Sequence, residues 1–230
     1  MRPSLDITDA SIVLIGKFDP ALITPGWLAY HSIIDESEAK LSEVTISHPD
    51  VTQFDIEWAK IYADKNRLQI STTQSPHIRI SDLFIKLLTE LLPGTPVWTA
   101  GINLSQHYRL DKDQQDRFGE LLAPRANWGA WGQHTLNKGP KKTSGLTSIC
   151  LRQGADLEDR KDGYIDVRIE PSQLLKNGGI HIHINDHYNF GTAESTQDNS
   201  EAIKLLDRHF EESLQRSELI SAGIIENIPS

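Results

Sequence analysis

Ile180-His181-Ile182-His183-Ile184-Asn185-Asp186-His187-Tyr188 alternates apolar and polar side chains along a short segment. A period of two is the mark of a half-buried β-strand, whose successive side chains point to opposite faces. Ile180, Ile182 and Ile184 then enter a core, and His181 and His183 stand together on the other face, about 6–7 Å apart along the strand. Upstream, Tyr164-Ile165-Asp166-Val167-Arg168-Ile169-Glu170 alternates in the same way. If the two strands pair as a hairpin with their isoleucines on one side, Asp166, Arg168 and Glu170 share the polar face with His181 and His183.

The rest of the chain fits around this hairpin. Ser11–Phe18 is an apolar, β-branched run that reads as a buried strand, closed by Asp19-Pro20. Residues 27–34 suit either a strand or a short helix. Residues 53–73 read as a β-hairpin, with alternation through Phe54, Ile56 and Trp58, turn chemistry at Asp64-Lys65-Asn66, and renewed alternation from Leu68. Leu83, Phe84, Leu87, Leu88 and Leu91 recur at helical spacing until Pro93-Gly94. A strand follows through Ile102-Asn103-Leu104, then a short helix near 112–122, strands near 146–153, 163–170 and 179–187, and a long terminal helix. Asp198 and Glu201 are placed like a capping box for that helix, and Ile203, Leu206, Phe210 and Leu214 form its apolar stripe. Short turns between consecutive strands favour antiparallel pairing. The expected architecture is a single α+β domain over 1–230, predominantly antiparallel sheet with helices packed on one side. Alternatively it divides into two similar strand-then-helix halves, 1–123 and 145–230, joined by the 124–144 loop.

Composition narrows the function classes. With 38% hydrophobic and 24% charged residues the chain has the balance of a folded protein, and its net charge of −9 argues against general nucleic-acid binding. Lys138, Lys141 and Lys142 form one local basic loop. The single cysteine, Cys150, excludes an internal disulfide framework or a Cys-rich zinc site, and it reads as a small core residue of its strand. No apolar run approaches the roughly 20 residues that span a bilayer, so a cytoplasmic protein without a membrane partner is expected.

Two features point to recognition. Trp128-Gly129-Ala130-Trp131 sets two large aromatics beside glycines, suited to stacking on a ligand or anchoring a partner, or else to covering a sheet edge or filling the core. The hairpin face of Asp166, Arg168, Glu170, His181 and His183 has three readings: a protonation-sensitive binding surface, a solvated polar face, or, with Asp186 joining His181 and His183, the ligand set of a divalent metal that activates water. The metal motif of metallo-β-lactamases, His-x-His-x-Asp-His, differs by one residue from His181-x-His183-x-x-Asp186-His187 and needs further ligands downstream, where only His209 occurs. Nucleophile-elbow, phosphate-loop and dinucleotide-binding signatures are absent. Asp159-Arg160-Lys161 has the Asp-x-Lys form of some nucleases, but it lies in a charged turn and lacks an upstream acid.

Gly16-Lys17-Phe18-Asp19-Pro20, Pro25-Gly26-Trp27-Leu28, Gly101-Ile102-Asn103 and Asn185-Asp186-His187-Tyr188 resemble a sporadically distributed family of uncharacterised bacterial proteins. The resemblance implies a bacterial cytoplasmic protein and transfers no catalytic residue. The expectation is therefore a non-enzymatic protein that needs no cofactor and acts by binding a protein partner or forming a homo-oligomer. A metal-dependent hydrolase centred on His181, His183 and Asp186 is the alternative.

Overall fold

The computed structural model describes residues 3–136, 145–154, 162–176 and 178–228. Lys138, Lys141, Lys142 and Asp159-Arg160-Lys161 lie outside the described residues. The described residues form one nine-stranded antiparallel sheet. Its first half contains β1 (Ser4–Gly16), the short helices α1 (Pro25–Tyr30) and α2 (Glu36–Leu41), the meander β2 (Glu43–His48), β3 (Val51–Ile56), β4 (Ala59–Asp64) and β5 (Arg67–Thr72), and α3 (Ile78–Lys86), which runs on into a wider turn over Leu87–Leu91. The second contains β6 (Val97–Arg109), α4 (Lys112–Leu122), the one-turn α5 (Gly129–Gly132), β7 (Ile149–Gln153), β8 (Gly163–Pro171), β9 (Ile180–Asn189) and the long α6 (Ser200–Glu226).

The strand order β2-β3-β4-β5-β1-β6-β9-β8-β7 places two thirteen-residue strands, β1 and β6, side by side at the centre. Each half begins with one of these strands, crosses through helices to the edge of the sheet, returns inward as a meander and ends in a helix. The topological repeat thus divides between α3 and β6, and residues 124–136 fall inside the second half.

Several local expectations change. Residues 53–73 hold three strands rather than a hairpin, because Glu57 and Trp58 form a tight turn that pairs Ile56 with Ala59. Trp58 leaves the alternation: its indole N–H donates to Glu38 (2.9 Å) and Arg79 lies over its ring. Residues 25–30 are helical, with Thr24 capping the Trp27 N–H (3.2 Å). The terminal helix has no capping box. Its N-cap is Asn199, whose side-chain amide is buried and donates to Leu88 O (3.1 Å) and Leu92 O (2.8 Å), the carbonyls left open where α3 unwinds. Cys150 is an exposed residue of the edge strand β7, not a core residue.

Packing follows from alternation. Ala10, Ile12, Leu14, Leu104, Ile102 and their partners on β4 and β5 meet α3 and the first half of α6 in one apolar cluster. Ile165, Ile169, Ile180, Ile182 and Ile184 form a second cluster with Phe118 of α4 and the last turns of α6. No helix among the described residues is long and apolar enough to cross a membrane.

Candidate functional site

The hairpin inferred from alternation is present, and its register is direct: Glu170 opposes His181, Arg168 opposes His183, and Asp166 opposes Asn185. These side chains stand on the face opposite the apolar clusters, which the described helices leave bare. An antiparallel sheet can present such a face to water. Because β6 is much longer than Ile102–Leu104, it extends the polar surface with residues the sequence reading missed. His107 opposes His181, and Ser105 opposes both His183 on β9 and Asp9 on β1. The alternation Asn103, Ser105, His107 is the signal that would have placed them, had the strand been continued past Leu104.

The three imidazoles are anchored alike. His107 Nδ1 hydrogen-bonds with Ser172 Oγ (2.8 Å), His181 Nδ1 with Glu170 Oε1 (3.1 Å), and His183 Nδ1 with Ser105 Oγ (2.9 Å). The His107 and His181 rings stack with centroids 4.3 Å apart and planes within 5°, and His183 is tilted at 6.0 Å from His181. Burial, reinforced by His181, holds His107 and His183 below the ordinary imidazole range, although Glu170 acts in the opposite sense on both. Beside them Arg152 lies over the Tyr164 ring (3.6 Å), which stacks in turn on His187 (4.4 Å). Arg152 also grips Asp166 through two hydrogen bonds of 2.6 and 2.7 Å, holding that carboxyl below its usual range.

Asp186 does not join this group. It sits on the core face of β9, 0% exposed, where Ser213 Oγ donates to it (2.7 Å) along with Tyr188 OH and Arg216 (both 3.3 Å). It forms a polar seam between the two apolar clusters, so the proposed ligand set of His181, His183 and Asp186 is not assembled. Parallel stacked rings such as His107 and His181 also cannot aim their lone pairs at one ion, and no group of three or more potential ligands converges among the described residues.

The tryptophan segment forms a second, separate surface. Phe118 seats α4 on the apolar side of the sheet, and Trp128 and Trp131 face α4 across a cavity of about 200 Å³ that also touches Thr135 and residues 145–148. The rings are 6.0 Å apart and tilted by 54°. They neither fill the core nor lie flat on it: Trp128 is 58% and Trp131 61% exposed. Gly132 permits this arrangement, since a Cβ there would meet Arg125 O at 2.2 Å and Trp128 Cβ at 3.2 Å.

The sequence phrases carrying the family resemblance have structural reasons to exist. Gly101-Ile102-Asn103 lies in register against Asn185-Asp186-His187, and a Cβ on Gly101 would reach within 2.8 Å of Asn185 Oδ1. Gly16 ends β1 where a Cβ would come 2.4 Å from Pro96 O. In comparison with known proteins, no family model matches the chain and no curated protein matches it.

Proposed function

We propose that this chain is a non-enzymatic binding protein that docks a protein partner, or a second copy of itself, at the Trp128–Trp131 pocket. The observation that carries this reading is the exposure of both indoles at the wall of a concave pocket. Burying a large aromatic is worth about 1.5–3 kcal/mol, so leaving two exposed wastes stability unless another surface covers them. Tryptophan is also the residue most enriched among energetic anchors of interfaces. Wild-type protein and W128A/W131A, compared by light scattering and by capture from source-cell extract, test the reading. A strict monomer at micromolar concentration that captures nothing lost in the variant refutes it.

The polar sheet face supports a second reading, a protonation-sensitive contact surface. The supporting observation is the common anchoring of His107, His181 and His183 through Nδ1. It fixes ring orientation while burial favours the neutral form of His107 and His183. Acidification would then charge a surface organised around neutral rings and release whatever rests on it. Binding that is unchanged between pH 7.5 and pH 5.5, measured on the same partner, excludes this role.

A further inference from the structure

We propose that a furrow along the centre of the polar sheet face binds a small organic amine, its ammonium group seated between Asp9, Ser11 and Ser105. This goes beyond both readings above, since it draws on neither the indoles nor the imidazoles.

The furrow follows from side-chain size along the seam where β1 meets β6. Asp9 opposes Ser105 and Ser11 opposes Asn103, with Gly101 further along the same face. Longer side chains stand on the flanks, Lys60 and Gln69 on one side, His183 and Arg168 on the other. No described helix covers this face, yet Ser11 is only 8% and Asn103 only 7% exposed. A cavity of about 220 Å³ adjoins the furrow, lined by Gln53, Lys60, Tyr62, Gln69 and Ser71, the β5 partner of Ser11. It gives room for the organic part of a ligand.

Asp9 supplies an unanswered negative charge. No hydrogen bond or ion pair from the described residues reaches its carboxylate. Other carboxylates of the face are answered: Asp55 by Lys60 (3.5 Å), Asp166 by Arg152 and Glu170 by His181. Lys60 is the one cation acting on Asp9, and it is mostly exposed and held at Asp55. Ser105, which faces Asp9 from β6, is uncharged, and burial keeps His183 behind it on β9 neutral. An ionised carboxylate in this state costs stability at neutral pH, which an asparagine of the same shape would not. A charge that weakens the fold and faces a recess marks a ligand site.

The atoms around Asp9 are acceptors. Ser105 Oγ is engaged with His183 Nδ1 (2.9 Å), and a hydroxyl with one such bond keeps a lone pair. Ser11 Oγ has no partner among the described residues. Asn103 spends its side-chain N–H groups on Ser11 O (3.5 Å) and Gly101 O (3.3 Å), which leaves its carbonyl oxygen to accept. An ammonium carries three N–H donors on one compact charge and so matches a carboxylate flanked by two hydroxyls; the planar fork of a guanidinium does not. The chain's net charge of −9 draws such a cation in. A floor as recessed as Ser11 and Asn103 suits a free amine rather than a lysine presented from a broad protein surface.

The test titrates the full chain at constant ionic strength with propylammonium, uncharged 1-propanol, and tetramethylammonium, which has the charge but no N–H. Calorimetry and the amide NMR shifts of Ser11 and Ser105 read binding. Saturable millimolar binding of propylammonium, at least about five-fold tighter than either control, is expected at pH 7.5. Propylammonium keeps its charge at lower pH, so its affinity should fall about ten-fold per unit below pH 6, where Asp9 takes up its proton. Asp9→Asn should cost at least about ten-fold in affinity at pH 7.5 and remove that pH dependence. No saturation, or equal binding of propanol, overturns the proposal without needing any variant to fold; so does an affinity that Asp9→Asn leaves unchanged. Equal binding of tetramethylammonium overturns the seat between the hydroxyls. N-acetyl-lysine methylamide separates the source: binding more than about ten-fold tighter than propylammonium would overturn the free amine in favour of a protein lysine.

Discussion

Asp9 provides a sharp test of the polar sheet face. It stands on β1 directly opposite Ser105, whose hydroxyl is engaged with His183, and its neighbour on the same face, Ser11, is buried. Burial pushes the Asp9 carboxyl from 3.8 up to about 6, with only the charge of Lys60 opposing. Lys60 Nζ itself lies 3.5 Å from Asp55. A pKa raised in the folded state means that the fold binds the proton more tightly than the unfolded chain does. The resulting stabilisation is complete below pH 3.8 and is lost as pH rises through about 6. Two units correspond to about 3 kcal/mol. Asp9 is partly exposed, so solvent screening reduces this to about 2 kcal/mol.

Asp9→Asn keeps the shape and removes the ionisation. Urea unfolding at intervals between pH 4.5 and 8 should show the variant more stable by about 2 kcal/mol at pH 8, falling to roughly a third of that at pH 4.5. The curvature should lie near pH 5–6. A gain independent of pH would mean that the substitution acts through packing. A loss at pH 8 would mean that the ionised carboxylate holds a favourable partner, and the account of this face as desolvating would be wrong.

Other substitutions separate the remaining assignments. Asp186→Ala should destabilise by about 3 kcal/mol, because Ser213, Tyr188 and Arg216 lose a shared acceptor inside the protein; an unchanged unfolding midpoint would contradict the buried seam. Trp128→Ala and Trp131→Ala should each change stability by less than about 0.5 kcal/mol in thermal melts, as expected for exposed side chains, while weakening binding. His107 and His183 are depressed in the fold, so their contribution to stability is present above about pH 6.5 and is lost as pH falls through their folded values; the combined His107→Gln and His183→Gln variant should lose less stability between pH 7 and 5 than wild type in denaturant titrations. Gly16→Ala should cost about 2 kcal/mol or more, since the obstructing atom is the Pro96 carbonyl and not a movable side chain.

What was legible in the sequence was whatever a period of two could carry. The β8–β9 hairpin, with its histidines facing Arg168 and Glu170, followed from alternation alone. So did the α+β class and the placement of helices on one side. Strand ends carried less information: β6 was read as three residues because Gly101 and the polar Ser105-Gln106-His107 interrupt its apolar run, and Asp9, Ser105 and His107 were missed together. Glu57-Trp58 was missed because a two-residue turn without Gly or Asn preserves the look of alternation. The pocket beside the tryptophans was beyond reach, since it depends on how α4, residues 125–135 and residues 145–148 meet across sequence gaps that no local pattern spans.

The histidine strand shows how one physical rule can both suggest a site and limit it. Side chains on the same face of a strand differ by an even number of positions. His181 and His183 satisfy this; Asp186, three residues beyond His183, does not. It could join them only if the strand ended first and the chain turned back, and β9 instead continues to Asn189. Asp186 is therefore committed to the core face, and the cost of burying its charge there requires the donors that α6 and Tyr188 provide. The same parity sets His181 and His183 beside His107 and Ser105, with each imidazole anchored through Nδ1 and two of them stacked. Among the described residues no three potential ligands converge there. What the three imidazoles offer together is hydrogen bonding and protonation at a surface.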